Sequence, residues 1–192
     1  TKPDRGYEIG SLTSNPEKIK ITGPTSLINK IDKVNASIDV DGATEDITTE
    51  KDVKIIDKNG EEFTDSDMSY LNVSRVYVTA KLWKVQADVK IKAGYSGSPK
   101  SGYQVESVST TPNVVSVAGS EEGLATLKEQ NNTITIPDYV ADISDRDSDF
   151  EEKINISDYL PDGLKLTSDS SEDMFVRVNV LPIGSSVCEV PT

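Results

Sequence analysis

The sequence predicts an all-β fold built from two tandem units. Three observations predict it: the bias among the apolar residues, a repeat at a fixed offset, and period-2 alternation near the end of each copy. The chain has 19 Val and 16 Ile against 10 Leu and 8 Ala. Side chains branched at Cβ are stiff at χ1 and suit a pleated strand better than a helix. Val, Ile, Leu and Phe together account for 48 of the 192 residues, above the roughly 20% below which highly charged chains stay disordered.

The repeat appears when GYEIGSLTSNPEKIKITGP, from Gly6, is set above GYQVESVSTTPNVVSVAGS, from Gly102. At an offset of 96, Gly6 meets Gly102, Tyr7 meets Tyr103, Pro16 meets Pro112 and Gly23 meets Gly119. The apolar positions follow: Ile9 with Val105, Leu12 with Val108, Ile19 with Val115, Ile21 with Val117, and onward through Ile38 with Ile134, Val40 with Ile136 and Ile47 with Ile143. Shared Gly and Pro over about forty residues in one register mark two copies of one unit.

The elements of each copy then read in order. A first strand follows the Gly-Tyr pair. After Gly23, PTSLINKI offers Thr25 or Ser26 as a helix N-cap; after Gly119, Ser120 precedes an acidic first turn and Leu124 and Leu127 on one stripe. One short helix per unit is expected. DVKIIDKNGEEF predicts a hairpin with a type I′ turn at Asn59-Gly60, and Pro161-Asp162-Gly163 is the turn signal of the second copy. Each copy closes on a strand with one buried face, Val76, Val78, Ala80 and Leu82 in one and Val176, Val178 and Val180 in the other.

Between the copies, Val85, Ala87, Val89 and Ile91 alternate as a strand that opens the second unit. Its counterpart would lie ahead of Thr1, so the first unit, residues 1–84, is expected to lack its opening strand. The second, 85–192, ends in VCEVPT, read as the start of a further strand. The copies either pack rigidly or hinge near Val85 to Asp88.

Composition excludes much chemistry. The chain has no histidine and one cysteine, which removes Ser-His and Cys-His pairs, imidazole-ligated zinc, four-cysteine zinc sites and an intrachain disulfide. A net charge of -13 and a pI near 4.4 argue against nucleic acid and against docking on anionic lipid. No apolar stretch is long enough to span a bilayer.

The individual candidates read as structural. In DISDRDSDFEE, residues 142–152, Asp145, Asp147 and Asp149 have the spacing of a calcium loop, but Phe150 and Ile156 stand where Gly and Glu would be needed. A solvated acidic loop is expected. GYSGSPKS, from Gly94, resembles a P-loop with Pro99 in place of the second Gly and reads as a loop between units. Tyr7 and Tyr103 are expected to pack on their own sheets, and Trp83, ending a strand, to fill the contact between units. Cys188 is given no role. No catalytic, cofactor-binding or metal-binding residues are assigned, and no cofactor.

Gly-Tyr, alternating apolar positions, a Pro before a Val/Ile-x-Val/Ile pair, Gly-Pro or Gly-Ser, a short helix, and finally YLPDGLKLTSDSSEDMFVRVNV together resemble the YbbR domain. Ser120 departs from the Pro at position 24, and the first copy has no LPDG. The resemblance implies tandem units outside the membrane of mainly Gram-positive bacteria, tethered by a helix beyond this chain. It implies a non-catalytic role in regulating a membrane diadenylate cyclase, CdaA, which makes cyclic di-AMP. From the residues alone, a cell-surface structural or adhesive tandem β module, with possible cell-wall contact, is the alternative.

Overall fold

The computed structural model describes residues 1–188 and residue 190. The chain divides into two compact units, Thr1–Trp83 and Lys84–Thr192, both dominated by strands.

Unit 1 contains β1 (Tyr7–Asn15), β2 (Ile21–Thr22), α1 (Thr25–Ile28), β3 (Ile31–Asn35), β4 (Ile47–Lys51), β5 (Lys54–Asp57), α2 (Asp65–Ser69), β6 (Asn72–Val73) and the first part of β7 (Val76–Ala93). β7 is flanked by β1 and β4, the latter antiparallel from Ile47↔Ala80 to Lys51↔Val76. Alternation aims Val76, Val78 and Ala80 inward, all at 6% exposure or less, while Tyr77 stands outside at 53%. A second, minimal sheet pairs β2 with β6, Ile21↔Val73 and Thr22↔Asn72, and a third pairs β3 with β5.

Unit 2 takes the rest of β7 and adds β8 (Tyr103–Thr111), β9 (Val114–Gly119), α3 (Glu121–Glu129), β10 (Thr133–Ile136), β11 (Phe150–Asn155), β12 (Leu164–Leu166) and β13 (Asp173–Pro182). β13 lies between β11 and β8, repeating the arrangement of β4, β7 and β1. Its second sheet is fuller. β9 pairs antiparallel with β12 and with β7, from Lys84↔Gly119 to Lys90↔Val114. β10 pairs parallel with β7, from Thr133↔Lys90 to Ile136↔Ala93. One core results, including Val89, Val117, Leu127, Ile134, Ile136, Ile143, Met174, Val176 and Val178, each at 1% exposure or less.

The repeat survives in the backbone. β1 and β8 begin and end at positions 96 apart, as do α1 and α3 at their starts. Gly6 and Gly102 share positive φ values of 91° and 90°, which only glycine adopts freely, and each closes the turn that leads into its first strand.

Several local expectations are corrected. Neither Thr25 nor Ser26 caps α1: its N-cap is Pro24, and no side chain closes it. In α3 the Ser120 hydroxyl does accept from the Gly123 N–H at 3.1 Å. Unit 1 holds a second helix, α2, whose Thr64 and Asp67 accept reciprocally from each other's backbone N–H, the capping-box logic with Asp at N3. The Asn59-Gly60 turn is not type I′, because only Gly60 has positive φ, 86°. Asp57 instead organises it, accepting from the Asn59 and Glu61 N–H groups at 2.8 and 2.9 Å.

Alternation in β7 is broken by a bulge between Gln86 and Val89, with Asp88 at φ 56°. Ala87 is therefore exposed, whereas Val89 and Ile91 are buried. Trp83 lies within β7 rather than at a strand end, and its indole covers Gly10 of β1, where any Cβ would collide with it. Residues 94–101 connect β7 to β8 inside unit 2 rather than joining units. Residues 185–188 form no strand; of the expected terminal strand, Glu189, Pro191 and Thr192 lie outside the described residues.

Candidate functional site

An open groove of about 920 Å³ lies in unit 1. Its floor is apolar, with Ile9, Val53, Val76 and Val78 beneath, and its two walls come from residues 16–21 and 36–40. These walls are mostly irregular backbone: 16–20 and 36–40 lie outside any strand. Ile19, Ile21 and Ile38 are half-exposed, and Leu12 is 57% exposed.

Charge lies at the rim. Glu17, Lys18, Asp32 and Lys33 alternate in sign around the opening, so the groove attracts neither cations nor anions selectively. Asp39, between Ile38 and Val40, accepts from the Asp41 N–H at 3.0 Å. That bond, followed by one from Thr1, holds its carboxyl below the ordinary 3.8. Thr1 also reaches Val40, whose N–H donates to its Oγ1 at 3.4 Å. Chemically the groove is an apolar trough with polar edges. Its hydroxyls, from Thr1, Thr13, Ser14 and Ser37, belong to a chain with no histidine, and the surface suits binding of an extended apolar segment.

The residues singled out in the sequence do not converge. In the acidic loop, Asp142 Oδ1 accepts from Ser144 N and Oγ at 3.0 and 2.6 Å, Asp147 pairs with Lys100 at 2.8 Å, and Asp149 accepts from Val180 N at 2.9 Å. That last bond satisfies a donor at the bulge in β13. Phe150, in place of a calcium-loop glycine, is 8% exposed in the core, with Arg146 4.6 Å from its ring centroid. Among the described residues, no three side chains able to hold a metal come together. The loop braces unit 2. Tyr103 packs on the unit 2 core, and Cys188 is exposed and unpaired with another cysteine.

Sequence reasoning missed the groove as a site. The signal was present in the offset itself: its wall positions repeat those of β9 and β10.

Comparison with known proteins agrees with the repeat. A family model described as YbbR-like protein matches residues 1–80 and again 88–180. The CdaA regulatory protein CdaR of Bacillus subtilis (strain 168) is 30% identical over 182 residues, which is 93% of this chain but 35% of that protein. The chain thus spans about a third of that relative's length. Among solved structures, a YbbR-like protein from Streptococcus pneumoniae TIGR4 aligns over 95% of this chain and 92% of its own, at 17% identity and a TM-score of 0.34. SuR18C from Streptococcus thermophilus aligns over 56% of this chain and 93% of its own, at 19% identity and a TM-score of 0.38. Matched in both copies across most of its length, the chain belongs to the YbbR-like family.

Proposed function

We propose that this chain is a non-catalytic, extracytoplasmic binding segment of a membrane-anchored regulator of the diadenylate cyclase CdaA, and that it acts on cyclic di-AMP synthesis through contact rather than chemistry. The observation that carries this reading is the 30% identity to a CdaA regulatory protein sustained over 93% of the chain. Charge and composition are compatible with it: an acidic segment with no histidine is suited to protein contacts in an aqueous compartment. No helix among the described residues is long and apolar enough to cross a membrane; in this reading the tether is a segment outside this chain.

In this reading the two units offer several weak contacts, and their combined occupancy alters the association of the membrane-embedded partners. The test is cyclic di-AMP output in a heterologous cell carrying CdaA, with the full-length anchored protein present and then with residues 1–192 deleted. The expected result is an output that depends on the segment. Unchanged output, with the deleted protein still expressed and membrane-bound, overturns the proposal and favours a surface stalk or adhesive module.

A further inference from the structure

We propose that Asn59 is a modification site: in the folded chain its side chain cyclises onto the Gly60 nitrogen and loses ammonia, and the Asp57 carboxylate sets the rate. The inference does not depend on the CdaA reading.

The step needs only water. The Gly60 nitrogen gives its proton to solvent base and attacks Asn59 Cγ. A new N–Cγ bond forms, the Cγ–Nδ2 bond breaks, and the departing nitrogen takes up a proton and leaves as ammonia. A five-membered succinimide results. One water then opens the ring: attack at Cγ gives aspartate, and attack at the main-chain carbonyl gives isoaspartate, in which the backbone runs through Cβ. Nothing is oxidised or reduced.

Sequence and exposure single out this position. A side chain on the following residue crowds the attacking nitrogen, and of the chain's 10 asparagines only Asn59 precedes glycine. Both residues are exposed. At Gly60 the space a Cβ would take is open, with no atom within 4 Å, so neighbouring groups leave room for the ring to close.

The turn also restrains the reacting atoms. Gly60 N donates to the main-chain carbonyl of Asp57 at 3.0 Å, which occupies the proton that must leave. Asn59 Nδ2 donates to Asp57 Oδ2 at 3.3 Å, which holds the amide away from the nitrogen. The other carboxylate oxygen, Oδ1, accepts from the Asn59 and Glu61 N–H groups at 2.8 and 2.9 Å. Donors gathered on one carboxylate, the Glu61 N–H foremost, keep Asp57 below its ordinary 3.8 and therefore ionised at neutral pH. Ring closure has to wait until these bonds open together, and in an exposed turn such openings are frequent.

The product does not fit the turn that made it. Once the amide is a carboxylate, the donor to Asp57 Oδ2 is gone and two negative groups face each other. Isoaspartate also adds a methylene to the backbone between Asp57 and Glu61. That segment is closed by Asp57 N donating to Glu61 O at 2.8 Å and by Phe63 N donating to Ile55 O at 2.9 Å. Ile55 and Phe63 belong to the buried residues of unit 1, at 0% and 8% exposure. Conversion of Asn59 thus loosens a hairpin that is anchored in the interior.

The test incubates the full chain at mildly alkaline pH, where ring closure quickens with hydroxide, and locates the mass gain of amide-to-acid exchange by peptide mass spectrometry. The gain is expected at Asn59 before any other asparagine, as a mixture of aspartate and isoaspartate. Unfolding in urea is expected to raise the rate by about tenfold or more, since two hydrogen bonds no longer restrain the reacting atoms. Asp57→Ala in the absence of urea is expected to raise it by about threefold or more. The comparison with urea stands even where this variant loses the turn. No gain at Asn59 in the folded chain while the unfolded chain reacts, a first gain at another asparagine, equal rates folded and unfolded, or an Asp57→Ala rate equal to the unaltered one overturns the proposal. In the purified isoaspartate form, exchange of the Phe63 amide is expected to quicken by about tenfold. Asn59→Asp, which carries the charge without the extra methylene, should quicken it less. Unchanged Phe63 exchange in the isoaspartate form overturns the loosening.

Discussion

The two units carry one sequence pattern and reach different degrees of burial. Ile134, Ile136, Val115 and Val117 of unit 2 lie at 7% exposure or less, yet of their counterparts Ile38, Val40, Ile19 and Ile21 only Val40 is buried. The residue types are equivalent, and so is the sheet formed by the final strand with its two neighbours. What differs is the strand between the walls, which unit 2 takes from Lys84–Ala93. A core position is thus defined by its non-local partner as much as by its side chain: without the partner, an apolar residue in the right register lines a groove.

This comparison is sharpened by paired substitutions. The largest contrast is expected for Ile134→Ala against Ile38→Ala. Ile134, 1% exposed, should cost about 2–5 kcal/mol when truncated inside a closed core, whereas Ile38, already at an open cavity, should cost less than about 1 kcal/mol. Urea unfolding measures both, and equal losses would break the comparison. Next come the turn glycines. Gly163 has φ 79°, and a Cβ there would lie 2.7 Å from Ser120 Oγ and 3.3 Å from Gly123 Cα; Gly60 has φ 86° with open space around it. Alanine at either position meets the left-handed cost of about 1–2 kcal/mol, and Gly163→Ala adds a steric clash, so its melting temperature should fall further.

Helix capping gives a smaller contrast. Ser120→Ala removes the acceptor for the Gly123 N–H and should cost about 1 kcal/mol, while Thr25→Ala, at a helix that no side chain caps, should stay within about 0.5 kcal/mol. Thermal denaturation of the two variants distinguishes them. The smallest effect is electrostatic. Lys100 bonds to Asp147 and holds that carboxylate below 3.8, so the pair's contribution is present above the ordinary carboxylate value and fades as pH falls through the lowered one. Both side chains are about half-exposed, so the energetic consequence is screened. In Lys100→Met the Asp147 titration followed by NMR should move back up toward 3.8.

Much of this fold was legible because its signals are local or periodic. The offset of 96 located both copies, Ser120 announced α3, and period-2 alternation placed the buried faces of the closing strands. Other features depend on contacts that spacing does not encode. The Asp88 bulge reverses the face of Ala87, and neither the composition nor the alternation around it marks the break. The turn at Asn59-Gly60 changed type because the Asp57 carboxylate competes for its N–H groups. Helix α2 was readable in Thr64 and Asp67, but a capping box with Asp in place of Glu is easily passed over. The groove was hidden for a different reason: its apolar walls look like core in the sequence, and the cavity between them is seen only in the structure.

The most direct test of the account is residue-resolved amide exchange on the intact 192-residue chain, comparing 18–20 and 37–40 of unit 1 with 114–116 and 133–136 of unit 2. If the groove is open, the unit 1 amides exchange through local opening at rates near those of exposed loops, while the unit 2 amides are protected by orders of magnitude. Equal protection at the paired positions would contradict the account, because it would mean that the walls of unit 1 are already held by a partner.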